Sequence, residues 1–246
     1  MFDPADLPLA PFSGKPEGVD VGLALHGSGE LLRNYGAHPR PGEVGEAYAR
    51  ELRHGYRAST SYVDAQVGRV LSALDRTGLA KNTVVVVWGD HGWHLGDHGV
   101  WGKHTLFERS LHSPLILCTP EMPSPGVPTR TVVESVDVLP TLLALAGISR
   151  PDGLDGRELG PALESPAWSS TDHARSYWRR GPHRGVSVRT DRYRATAWYR
   201  DGLPVAHEIY DHELDPNETR NAWDAVPESD LVDLLSRVAS SRRFGD

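Results

Sequence analysis

The chain has 246 residues, of which 39% are hydrophobic and 24% charged, the composition of a globular domain with a sizeable core. Acidic residues outnumber basic ones 33 to 26, and the resulting charge of −7 argues against a nucleic-acid-coating role. A single cysteine, Cys118, excludes an internal disulfide and every multi-cysteine zinc or iron–sulfur site.

No apolar run approaches the roughly 20 residues that a membrane span requires. Met1-Phe-Asp-Pro-Ala-Asp-Leu-Pro lacks the basic start and apolar core of a secretory leader, so the cytoplasm is the default compartment. Residues 1–46 are rich in Pro and Gly without a sustained period, which predicts an irregular segment. From Ala47, Leu52, Tyr56, Val63, Val67, Val70 or Leu71, and Leu74 recur at helical spacing, and Gly78 is placed to end that helix at positive φ. Val84 to Trp88 is a β-branched run of the kind buried on both faces of a parallel sheet.

Pro114 opens a second apolar strand, Leu115 to Cys118, in which Cys118 is expected to be buried. Arg130 to Ser135 is a candidate third strand. Asp137 or Ser135 can cap a helix that runs from Val138 and stops at Gly147. Val186–Thr190 and Tyr193–Tyr199 alternate at period two about Asp191-Arg192, as in a hairpin, and Glu208–Asp211 adds a short strand. Pro227 to Arg243 predicts a last helix, with acids near its start and Arg242 and Arg243 near its end. The expected architecture is α/β: helices on a mostly parallel sheet over 47–151, then a small antiparallel α+β subdomain over 152–246.

Five of the twelve histidines fall between His91 and His112, in a stretch without periodicity, so this loop is where chemistry is sought. Asp90 and His91 lie just past the carboxyl end of the first strand, the edge where open α/β sheets bind ligands. A carboxylate beside an imidazole can ligate a divalent cation, and equally forms an ordinary turn and cap. Lys103 adds a compact positive charge suited to an anionic oxygen. His94, His98, His104 and His112 are either ligands or loop residues satisfied by the backbone. Trp93 and Trp101 either line a pocket or staple the loop to the body.

The segment Asp90-His-Gly-Trp-His-Leu-Gly-Asp-His-Gly-Val-Trp-Gly-Lys103 resembles the second metal-and-sulfate motif of the sulfatases, members of the alkaline phosphatase superfamily. It is most similar to the iduronate-2-sulfatase-like branch, with His after the Asp. Tyr62-Val-Asp-Ala-Gln-Val-Gly-Arg69, the hairpin with Arg189 and Tyr193, and Asp215-Pro216 with Glu218 and Asn221 extend the likeness over most of 47–225. The resemblance implies an alkaline-phosphatase-like fold and metal-dependent hydrolysis of a sulfuric ester, on a sulfated sugar or small molecule. Asp90 and His91 would hold a divalent cation, calcium in most sulfatases, although imidazole suits zinc or manganese better. Lys103 would bind sulfate or offset leaving-group charge, with Trp93 and His104 lining the substrate pocket.

Two family features have no counterpart in the chain. The formylglycine nucleophile arises from Cys/Ser-x-Pro-x-Arg, and Cys118-Thr-Pro-Glu-Met122 lacks the Arg; the paired aspartates that open the family domain are likewise absent. The expectation is therefore the C-terminal half of a sulfatase, dependent on an N-terminal half or on self-association. The other readings are an inactive anion- or metal-binding remnant and a phosphate-ester hydrolase of the same superfamily.

Overall fold

A computed structural model of the chain describes residues 3–34, 44–165, 167–168 and 173–240. The first segment is more ordered than its Pro and Gly content predicts. It carries a 3-10 turn, Pro4–Asp6, and two short helices, α1 (Val21–Ala24) and α2 (Gly29–Asn34), and buries Leu7, Leu23, Leu25 and Leu31. The Asp20 carboxylate caps α1, accepting from the Gly22 and Leu23 amides. The long helix α3 (Glu46–Arg76) follows and ends at Gly78, whose φ of 71° supplies the left-handed turn expected there.

Strand β1 (Val85–Trp88) pairs antiparallel with β4 (Leu115–Cys118), a correction to the parallel pairing expected of this run. A β-branched run reports how much of a strand can be buried, and says little about the direction of its neighbour. Among the described residues the one parallel bridge joins Glu17 to Arg220. Cys118 is exposed, against expectation, because β4 alternates and one side of this two-stranded sheet is uncovered. Arg130–Ser135 forms no strand up to Glu134, and a 3-10 turn (Ser135–Asp137) leads into α5 (Val138–Leu145). Helix α6 (Gly160–Glu164) precedes the C-terminal sheet.

That sheet is an antiparallel meander of β5 (Ala174–Arg180), β6 (His183–Arg189), β7 (Tyr193–Arg200) and β8 (Leu203–Asp211). Helix α7 (Glu228–Ser240) covers one face, where Leu234 and Val238 meet Val186, Val188 and Ile209. The expected helix end at Arg242 and Arg243 lies outside the described residues. The opposite face receives α1 and the histidine-rich loop: Leu23 and Leu106 pack on Trp198, and Leu25, Val100 and Phe107 pack on Tyr210.

Charge clamps the loop to this sheet. Glu218, buried at a φ of 53°, accepts from Arg194 Nε at 2.9 Å, His212 Nε2 at 3.0 Å and the Glu108 amide at 2.8 Å. Glu108, at the start of α4 (Glu108–Leu111), in turn accepts from Arg194 and from Arg189 at 3.2 Å. Burial opposes ionisation of Glu108, but the two guanidinium groups outweigh it and pull its carboxyl down to about 2.

No helix among the described residues is long and apolar enough to cross a membrane. Tyr62, Val63, Val70, Trp88, Ile116 and Leu139 are exposed, and a groove of about 1250 Å³ runs between β4 and the C-terminal sheet. Light scattering of the isolated chain at micromolar concentration should therefore give a mass above that of one copy; a monodisperse monomer would contradict this. Arg194→Ala leaves the buried Glu218 and the partly buried Glu108 short of a partner and should cost about 3–5 kcal/mol in urea unfolding. Because the folded Glu108 carboxyl lies below its ordinary value, its stabilisation is complete above pH ~4.5 and fades as pH falls toward 2. Glu108→Gln should flatten that acid limb.

Candidate functional site

The loop leaves β1 at Gly89, whose amide donates to Pro114 O at 2.9 Å and so closes the base of the loop. Gly92 passes so near the returning chain that a Cβ there would sit 2.3 Å from Arg109 O; only glycine lets its amide donate to Ser110 O. Between these closures β2 (His94–Leu95) and β3 (Trp101–Gly102) form a small antiparallel ladder.

Asp90 and His91 stand side by side on the exposed edge, with Asp90 Oδ2 3.4 Å from His91 Nε2. His91 Nδ1 donates to Gly92 O at 2.9 Å. That bond places a proton on Nδ1, which makes Nε2, beside the carboxylate, the nitrogen available to a metal ion. Two donor atoms 3.4 Å apart can both reach one ion at the 2.0–2.5 Å typical of divalent cations. The donor set, one carboxylate oxygen and one imidazole nitrogen, thus fits a cation and is an incomplete shell for it.

The ring of His91 lies 6.1 Å from that of Trp93, and Lys103 Nζ sits 4.8 Å from the Trp93 ring centroid. Lys103 also donates to Glu30 Oε1 at 3.1 Å, with both side chains about three-quarters buried. His104 stacks on Trp178 at 4.9 Å, and its carbonyl accepts from Arg180. Burial and the nearby Lys103 ammonium hold His104 below its ordinary value, so the imidazole is neutral at pH 7. The structure brings Asp90, His91, Trp93, Lys103 and His104 into one neighbourhood.

The remaining histidines do other work. His94 is fully buried between Asp97 O at 3.1 Å and Thr105 Oγ1 at 2.9 Å, and burial lowers it to about 4. His98, at a φ of 56°, donates from Nε2 to Asn217 O at 2.8 Å. His112 is exposed beside Glu108. Trp101 is buried against Leu31 and Ala49, a staple.

Sequence reasoning missed Glu30, His26 and Arg180 around Lys103, and no motif or period marks them. It also missed Glu108 and His212 and gave Glu218 no role beyond the likeness; the donor atoms of these three lie within 4.8 Å of one another. Their oxygens already accept from Arg189 and Arg194, so the cluster is an ion-pair network filled by guanidinium rather than a cation cage.

The sulfatase family model matches residues 26–148, and that of the N-sulphoglucosamine sulphohydrolase C-terminal region matches residues 96–243. A sulfatase of Formosa agariphila is 34% identical over 172 residues, covering 70% of this chain and 32% of that protein. Iduronate 2-sulfatase of Homo sapiens is 37% identical over 134 residues, 45% of this chain and 24% of the enzyme. The chain spans about a third of the curated relatives it matches. Among solved structures, a phosphonate monoester hydrolase from Silicibacter pomeroyi matches 98% of this chain and 50% of its own, at TM-score 0.75 and 27% identity. A protein solved in complex with its substrate D-glucosamine-2-N,6-O-disulfate matches 79% of this chain and 40% of its own, at TM-score 0.70 and 27% identity. With an α/β fold like theirs and family models matched along its length, the chain belongs to the sulfatase family.

Proposed function

We propose that the chain contributes the cation- and anion-holding part of a metal-dependent sulfuric ester hydrolase acting on a sulfated sugar or similar small monoester. The observation that carries this reading is the pairing of Asp90 Oδ2 with a His91 Nε2 freed by the Gly92 carbonyl, beside an ammonium seated on Trp93. When bound, a divalent cation would supply fixed positive charge to the ester oxygens. Asp90 and His91 hold that cation, and Lys103 binds a sulfate oxygen or offsets charge on the leaving oxygen. The faces of Trp93 and Trp178 shield this region from water, which strengthens each of those attractions. His104, stacked and neutral, presents an uncharged ring to the substrate.

The metal preference separates two cases. Calcium takes an all-oxygen shell, so its use would require further oxygen ligands from elsewhere; zinc or manganese accepts the imidazole readily. The uncovered face of β1 and β4 supports a reading in which a further segment, a partner chain or a second copy completes the sheet and brings the nucleophile. The likeness to a phosphonate monoester hydrolase over 98% of the chain keeps a phosphorus-ester substrate as a second reading.

Calorimetric titration with calcium, manganese and zinc, followed by sulfate and phosphate, tests these readings. One ion should bind first and raise the affinity for sulfate above that for phosphate; the reverse order of anions favours the second reading. Asp90→Asn replaces a charged ligand by a neutral amide and should weaken cation binding at least tenfold. Unchanged affinity removes the pair from the metal site. Lys103→Ala should lower sulfate affinity by about tenfold and, in a catalytically complete form, slow turnover by at least as much.

A further inference from the structure

Glu208, on β8, is 3% exposed, and its two partners Trp198 and Tyr210 are each 1% exposed. Glu208 Oε1 accepts from Trp198 Nε1 at 3.0 Å, and Oε2 accepts from the Tyr210 hydroxyl at 3.0 Å. Both donors are neutral. Glu218 and Glu108, by contrast, are bonded to the Arg194 guanidinium. The charged groups that face Glu208 are Glu218 on the turn after β8, Asp20 at the cap of α1 and Arg180 on β5. Arg180 is engaged by the carbonyls of Gly22, Leu25 and His104. Burial, then the Glu218 and Asp20 carboxylates, outweigh the two hydrogen bonds and push the Glu208 carboxyl up to about 7.

The cover over these partners is slight on one side. Helix α1 is a single turn, whose Leu23 packs on Trp198 and whose Ala24 and Leu25 pack with Tyr210. The loop adds Leu106, Val100 and Phe107 to the same two clusters. Asp20, which caps α1, is itself one of the acids facing Glu208. Past Leu25 the chain runs directly into α2, where Glu30 Oε1 accepts from Lys103 at 3.1 Å. A protonated Glu208 is a neutral group that an apolar cover suits. An ionised Glu208 adds a negative charge beside those of Asp20 and Glu218 in a desolvated place, and moving α1 aside admits water to it.

We propose that Glu208 is a proton-operated latch: its protonated carboxyl keeps α1 seated on Trp198 and Tyr210, and loss of the proton releases α1 from the sheet. Release slackens the segment that leads to Glu30 and so loosens the hold on Lys103. The latch does not depend on which ester the site takes. Its direction follows from the titration: the folded carboxyl lies above its ordinary value of 4.5. The stabilisation is therefore complete below about pH 4.5 and is lost as pH rises through about 7. Glu108 has the opposite dependence, since its stabilisation is lost toward acid pH.

Amide hydrogen exchange of the full chain tests this. The probes are the Ala24 and Leu25 amides, which donate to Asp20 O at 2.9 Å and Val21 O at 3.1 Å. Leu234 and Val238 of α7, on the opposite face of the sheet, are the reference. Between about pH 5.5 and about pH 8, with rates normalised to those of an unstructured peptide, α1 protection should fall at least about tenfold while α7 protection holds. Glu208→Gln offers an acceptor to Trp198 and a donor to Tyr210 without a charge, so its α1 protection should be equal at the two pH values. Constant α1 protection in the unaltered chain, an equal fall in α1 and α7, or the same fall in Glu208→Gln overturns the latch. Should Glu208→Gln not fold, the Trp198 indole proton resonance of the unaltered chain takes its place. A shift with the midpoint of the α1 exchange supports the latch, and a constant resonance or a different midpoint overturns it.

Discussion

The site depends on a buried carboxylate that is not itself part of the chemistry. Glu218 sits on the turn after β8 and reaches back to the amide of Glu108, at the far end of the loop that begins with Asp90. Arg194, on the central strand β7, is held between both carboxylates. The loop is therefore referenced to an inner strand of a four-stranded sheet. Buried ion pairs contribute little to net stability compared with apolar packing, but they fix one arrangement, because any other strands a charge away from its partner. The left-handed backbone at Glu218 and at His98 is tolerated for the same reason. Both residues join the loop to the same turn, His98 through Asn217 O and Glu218 through the Glu108 amide.

The histidines of the loop illustrate how one residue type divides by partner. His94 is enclosed on both ring nitrogens and works as a bolt inside the loop. His98 spans from the loop to the C-terminal turn. His91 spends one nitrogen on a neighbouring carbonyl and turns the other outward beside a carboxylate. Spacing in the sequence does not separate these roles, because all three stand among glycines and each is two or three residues from an aspartate or tryptophan. The partner of the second ring nitrogen separates them.

What was legible in the sequence was local. The apolar stripe of α3 and its terminating Gly78, and the hairpin of β6 and β7, are set by residues within a few positions of one another, whereas Asp137 makes no cap bond to α5 and closes a capping box with Glu134 on the turn before it. Strand β5 was not legible: Arg175, Arg179 and Arg180 interrupt its pattern, and its identity as a strand comes from the partner β6. The burial of Leu23 and Leu25 comes from Trp198 and Tyr210, far along the chain. The exposure of Cys118 likewise follows from the absence of a layer over β4 among the described residues. Asp90, His91 and Lys103 lie in one recognisable motif, whereas Glu30 meets Lys103 across 73 positions of sequence. The motif marks the candidate ion-holding groups, and the fold chooses those that surround them.

The surroundings bear on how cation and anion binding are linked. The Lys103 ammonium is paired with the carboxylate of Glu30, and the nearby imidazoles of His26 and His104 are neutral at pH 7. A further cation, Arg180, is turned toward the carbonyls of Leu25 and His104. Such a pocket has no surplus positive charge to offer a sulfate. In the proposed reading a dication at Asp90 and His91 would reverse that balance, and in a partly desolvated site the reversal would be strong. Anion binding would then be conditional on the cation by thermodynamic linkage, each ligand strengthening the other by the same factor. The carboxylate of Glu30 would make the condition strict: it positions the ammonium while offsetting its charge, so that in this reading Lys103 alone would be a weak anion site.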